Sequence, residues 1–283
     1  MVKKFICSMA LTAALIPFAK PASAQDYKGT PKPAISDYLS SSDVKKQSAT
    51  TTKNATNSSS DTCGNPAGHC LFYGGDFSYD PLSSNVANGL ANENTLLVTG
   101  SPYGAATWVP FTVPAGQTWE VTGLFTNNLS DYGVLDQSPA EPTSAAFWSI
   151  NEDVEPGSAG TVVASGTNAA TVNPTGRAAF DLIEYTVEVK GLSFTLSPGS
   201  YWMAVVPLCT NTADPYCEGI FFLSDVEYIN TTPPTALGPA EPIDSSYLDS
   251  PYFGLSFDPT NGPLGAGAGI GGDAFSAGVL GKK

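Results

Sequence analysis

The stretch LSFTLSPGSYWMAVV, Leu192 to Val206, limits the possible folds more than any other part of the chain. Leu192, Phe194 and Leu196 alternate with Ser193, Thr195 and Ser197, so one face is apolar and the other polar, the period of a half-covered strand and not of a helix. Ser197-Pro198-Gly199-Ser200 then reads as a turn: Pro pre-sets φ at the second position, and Gly accepts the positive φ that a type II turn needs at the third. Tyr201 to Val206 is apolar on both faces, as a central strand covered on both sides would be. The stretch therefore predicts a hairpin, with the rest of the chain laid around it as further strands.

From Phe72 onward the chain is a series of short β-type runs separated by Gly, Pro, Asn and Asp. Strands are expected at Thr95–Thr99, Ala106–Val113, Thr118–Thr126, Ala145–Asn151, Thr161–Ser165, Ala170–Asn173, Ile183–Lys190, Leu192–Leu196, Ser200–Val206, Ile220–Val226 and Tyr252–Phe257. Val109, Phe111 and Val113 share one face, as do Ile183, Tyr185, Val187 and Val189, opposite Glu184, Thr186, Glu188 and Lys190. Val113 to Gln117 is expected to close a second hairpin. No run has the period of an amphipathic helix, and the expected fold is all-β: an antiparallel two-sheet sandwich of jelly-roll type.

The leader is a separate matter. Lys3 and Lys4, an apolar run from Phe5 to Phe18 and Ala22-Ser23-Ala24 make residues 1–24 a secretory signal peptide, with cleavage expected before Gln25. The mature chain is then expected to be secreted or periplasmic, with no membrane insertion. Residues 25–61, ending in SATTTKNATNSSS, are expected to be a flexible linker, residues 62–260 the β domain, and residues 261–283 a loose Gly-rich tail.

Without the leader, nine basic residues face 26 acidic ones, and between Asp61 and Gly281 only Arg177 and Lys190 are basic. Such a surface repels nucleic acid and anionic membrane and suits neutral or cationic partners. Four cysteines lie beyond the leader, and an exported chain predicts disulfides; because each pair brackets a short Pro-containing loop, the expected pairs are Cys63 with Cys70 and Cys209 with Cys217.

WVPFTVPAGQTWEVTGLF, AAFWSINEDVEPGSAGTVVASG and VKGLSFTLSPGSYWMAVVP together resemble the jelly-roll-like β-sandwich domains of exported bacterial proteins, the choice-of-anchor type. The likeness runs from about Asn94 to Phe257 and implies a non-catalytic surface or matrix module, with no catalytic residues to carry over. The final Gly278-Val279-Leu280-Gly281-Lys282-Lys283 departs from it, lacking the long apolar segment and basic tail of a sorting signal.

His69 is the single histidine, and no G-x-S-x-G elbow accompanies it, which leaves nucleophilic triads and zinc sites thinly supported. Glu184 and Glu188 share a strand face and, with the acids after Ile150, could supply the paired carboxylates of a glycan hydrolase or lyase. A solvated polar face is the simpler expectation for them. Asp131, Asp136, Glu152, Asp153 and Glu155 are the candidate ligands for calcium, a hard cation that takes loop carboxylates and carbonyls. Trp108 falls opposite Val109 and Phe111, with Tyr103 in the turn before it. The two could form a stacking platform for an extracellular glycan, or Trp108 could be covered by the N-terminal segment. The expected partner is thus a glycan or a surface protein.

Overall fold

The computed structural model describes residues 63, 69–77, 89–94, 100–130, 145–179, 182–208, 221–226, 246–260 and 274–283. Its strands are β1 (Cys70–Tyr73), β2 (Gly89–Ala91), β3 (Ala106–Val113), β4 (Trp119–Ser130), β5 (Ala145–Glu152), β6 (Thr161–Ala179), β7 (Leu182–Leu196), β8 (Gly199–Leu208), β9 (Phe221–Val226), β10 (Tyr247–Ser250), β11 (Leu255–Pro259), β12 (Ala274–Phe275) and β13 (Ala277–Lys282). The fold is all-β and antiparallel, with strand order β1-β13-β4-β7-β6-β5-β8-β3-β10-β11 and β9 joining β2, β12 and β4.

The described strands form one continuous ladder instead of the two separate sheets expected from the sequence. The continuity runs through β6, whose first half pairs with β5 and whose second half pairs with β7. The sheet curls on itself, bringing Phe72 of β1 to 5.6 Å from Phe111 of β3, Phe111 to 6.1 Å from Trp119 of β4, and Trp148 of β5 to 5.6 Å from Phe194 of β7. Burying these apolar faces against each other is the main force that holds a curled sheet closed.

β8 is the central strand that its composition requires, paired with β3 on one side and β5 on the other. Tyr201, Met203 and Val205 enter the main core, whereas Ala204 and Val206 enter a second cluster with Trp108, Val154 and Phe257. The hairpin reading of its start is corrected. β7 pairs with β4 and β6, so Ser197-Pro198 carries the chain from one half of the sheet to the other. Val113 to Gln117 does the same between β3 and β4, and is not a hairpin either.

Of these two links, the one with a left-handed glycine is the second. Gly116 has φ of 80°, and Gln117 N–H donates to the Pro114 carbonyl at 3.0 Å, as in a type II turn. Gly199 is extended at the start of β8 and is not in the left-handed region, so the positive φ expected there is absent. Gly116→Ala should therefore cost about 1 to 2 kcal/mol, although a methyl group there would meet nothing within 4 Å. Gly199→Ala should stay within about 0.5 kcal/mol. Paired denaturant melts check this, and a larger loss for Gly199→Ala would contradict the assignment.

The larger correction is at the C-terminus. Within the stretch expected to be a loose tail, β13 lies between β1 and β4, with Ala277 and Val279 fully buried and Phe275 of β12 buried beside them. Small residues permit this: a methyl group on Gly281 would overlap the Glu120 carbonyl oxygen across the ladder. Cys63 and Cys70 form a disulfide next to this edge. Cys209 and Cys217, and the strand expected at Thr95–Thr99, lie outside the described residues. The strand expected at Tyr252–Phe257 is β11 and begins at Leu255, and β1, β2, β10, β12 and β13 are strands that the periodicity did not reveal.

Candidate functional site

The expected glycan platform is buried. Trp108 is 2 % exposed and its ring lies 5.3 Å from that of Phe257, so β11 covers it; the N-terminal segment lies outside the described residues. Tyr103, 7 % exposed, packs on Phe147 at 5.3 Å and donates its hydroxyl to Asp249 Oδ2 at 2.7 Å. Neither side chain offers an open ring face. Desolvation, with Asp249 adding to it, pushes the Tyr103 phenol far above its ordinary value.

Asp249 itself is pushed up by burial, against the hydrogen bonds from Tyr103 and the Phe257 backbone. A carboxyl whose folded pKa is raised keeps its proton when the unfolded chain has lost it, so its contribution falls as pH rises from the unfolded value through the folded one. Asp249→Asn retains an acceptor for Tyr103 and removes that loss. The variant should be more stable than the parent at neutral pH, with the difference vanishing below the carboxylate range; thermal melts across that range check it.

Glu184 and Glu188 are not on a solvated face. Glu184 is fully buried and Glu188 is 6 % exposed. Glu184 Oε2 accepts from Arg177 Nε at 2.5 Å and from Thr175 Oγ1 at 2.6 Å, and Arg177 Nη1 reaches Asp76 Oδ1 at 2.6 Å. Asp76 in turn accepts from the Tyr73 hydroxyl at 2.6 Å. Lys190 Nζ lies 2.9 Å from Glu188 Oε2. Four residues apart on one strand, the two carboxylates are separated by about 13 Å along the backbone, whereas a glycosidase pair works at roughly 5 to 10 Å.

Glu152, Asp153 and Glu155 fall at the β5–β6 connection, where Glu155 and Ser158 close a tight turn through N–H to carbonyl bonds of 3.2 and 2.8 Å. Tyr201 is pushed up by burial and then by Glu152, and Tyr247 by burial and then by Glu155. Among the described residues, no group of three or more His, Cys, Asp or Glu side chains is placed to hold a metal ion. Asp131 and Asp136, the other candidate calcium ligands, lie outside the described residues. His69 is exposed, and its carbonyl accepts from Gly281 N–H at 2.7 Å.

The surface that stands apart is β6. No charged residue occurs between Glu155 and Arg177 in a chain of formal charge −14. Thr161, Val162, Val163, Ser165, Thr167, Asn168 and Ala169 are all exposed, and Val162 and Val163, at 55 % and 39 %, are the large exposed hydrophobic residues of the described fold. Asn168 Oδ1 accepts from the Trp148 indole at 2.7 Å, which fixes its amide at the edge of the core. The uncharged interval is not by itself a signal, since residues 94–119 and 191–213 are longer stretches without charge; its exposure is what sets it apart.

No family model and no curated protein matches the chain. Among solved structures it is similar to the cysteine protease and lectin-like domains of Cwp84, a surface layer associated protein of Clostridium difficile, with a TM-score of 0.36 and 13 % identity. The match covers 64 % of this chain and 33 % of that one, so the chain spans about a third of its length.

Proposed function

We propose that this chain is an exported, non-catalytic module of the cell surface or extracellular matrix, related to the choice-of-anchor type through its curled, jelly-roll-like sheet, which binds a neutral glycan. The observation that carries the reading is the first half of β6, Thr161 to Ala169: a largely exposed strand segment without a charged side chain on an acidic chain. Thr161, Thr167 and Asn168 present hydroxyl and amide groups that exchange hydrogen bonds with sugar hydroxyls, with no carboxylate among them to desolvate. The buried carboxylates support the same reading. Glu184 and Asp76 are tied to Arg177, which links β7 to β6 and to the segment after β1, and Glu188 is paired with Lys190 on its own strand, so these acids are occupied by ion pairs.

The test is a glycan array probed with the mature chain, with and without calcium, alongside an assay for released reducing ends. Retention on neutral polysaccharides without product supports the module. Release of reducing ends or unsaturated sugars would establish the rival hydrolase or lyase, and retention only in calcium would move the site to the loop carboxylates.

A further inference from the structure

We infer that the open edge of β6, Thr161 to Ala169, is a self-association site at which a second copy of this chain adds its own β6 in antiparallel register. This goes beyond the glycan reading, which concerns the side-chain face of β6, and does not depend on it.

Three observations lead here. First, β6 changes partner midway. Thr161 to Ala169 pairs with β5 alone, and the β7 pairing begins only at Ala170, so along the first half one row of backbone N–H and C=O groups has no strand beside it among the described residues. An unpaired edge is a template for another strand, and natural folds guard such edges with Lys, Pro or inward-pointing charge. This one has none of these between Thr161 and Asn173, its only irregularity being the register shift opposite Ile150 and Asn151 near Val163.

Second, electrostatics selects the occupant. Two copies of an acidic chain repel wherever carboxylates face each other, and the exposed edge from Thr161 to Ala169 carries no carboxylate, so two copies can meet there without that repulsion. Third, Val162 and Val163 are on this same edge, so apolar surface is exposed where it would be covered by pairing.

The symmetry follows from the length. Two identical antiparallel edges meet about a two-fold axis, which for Thr161 to Ala169 passes Ser165, placing Val163 opposite the partner copy's Thr167 and Ser165 opposite itself. The paired edge is about 27 Å long. That is less contact than a standard stable interface of about 1,600 Å² provides, so the dimer should form in the micromolar range or weaker and be favoured where copies are crowded on a surface.

The experiment uses the mature chain and the variants Ser165→Asp and Ser165→Lys, both at an exposed position that a charge does not bury. Sedimentation velocity over increasing concentration should show reversible dimers for the parent. Each variant alone places like charges across the axis and should dimerise at least tenfold more weakly, about 1.4 kcal/mol. An equimolar mixture of the two pairs opposite charges and should recover dimers. A parent that stays monomeric at the highest soluble concentration overturns the inference, as do dimers indifferent to both variants, or a mixture that fails to recover.

Glycan binding measured on the same samples keeps the two readings separate. A variant that is monomeric but still retained on glycan leaves both standing. A monomeric parent whose glycan retention is lost in both variants overturns self-association and assigns the strand to the glycan. Dimers with no retention on any glycan overturn the glycan reading alone.

Discussion

A chain ending at Asp273 should fail to fold. It lacks β12 and β13, and with them buried Ala277, Val279 and Leu280 between β1 and β4 and buried Phe275 on β12, which pairs with β9. Each of the three larger side chains is worth about 1.5 to 3 kcal/mol of burial, and their sum is comparable with the whole stability of an ordinary domain, about 5 to 15 kcal/mol. The loss is compounded because β1 then has no partner among the described strands and one long edge of β4 loses its pairing. The truncated protein should show no cooperative unfolding transition and no fixed near-ultraviolet dichroism. A transition within a few degrees of the parent's would mean that these strands are not part of the core.

Replacing Arg177 with Met should cost about 3 to 5 kcal/mol, the usual penalty for leaving a buried charge without its partner. Arg177 is the only arginine in the chain, and it bridges Glu184, which has no exposed surface, to Asp76 beyond β1. Without it, the buried Glu184 side chain keeps only the Thr175 hydroxyl as a side-chain donor. The double variant Arg177→Met with Glu184→Gln should recover much of the loss, since the orphaned charge is gone and Thr175 can still donate to the amide oxygen. Denaturant melts of both proteins and the Glu184→Gln single variant close the cycle. Equal losses in the single and double variants would mean that packing of the guanidinium, not its charge, is what stabilises the site.

The strands that could be read from the sequence were those with a two-residue alternation or a full apolar run. Ala106–Val113 was expected and found with the same limits, and β8 was read correctly as covered on both faces. What failed was connectivity. Pro-Gly sequences signal a change of direction, and the same residues serve a hairpin or a step from one half of a curled sheet to the other. β13 was missed for a related reason: Gly278 and Gly281 look like tail composition, yet they are what lets β13 fit against Phe125 and the Glu120 carbonyl.

The candidate site was less legible. Glu184 and Glu188 alternate with apolar residues as surface acids would, but their burial depends on Arg177 and Lys190 and on neighbouring strands that one strand's pattern cannot specify. Trp108 was correctly placed opposite Val109 and Phe111. Its cover came from Phe257, far along the chain, and periodicity holds no information about so distant a partner.

The pairing of β1 with β13 also governs how the fold would respond to tension. Cys70 lies opposite Leu280, so the segments leading away from the first and last described strands leave from the same end of one antiparallel pair. Force applied between those two segments would peel the pair apart one hydrogen bond at a time, because the bonds lie across the strands and are loaded singly and not in parallel. A load that enters and leaves through β6, by contrast, is shared along a ladder on both sides of the curl. A module held by its strand edge would therefore withstand shear that would unzip the same module pulled between its two ends.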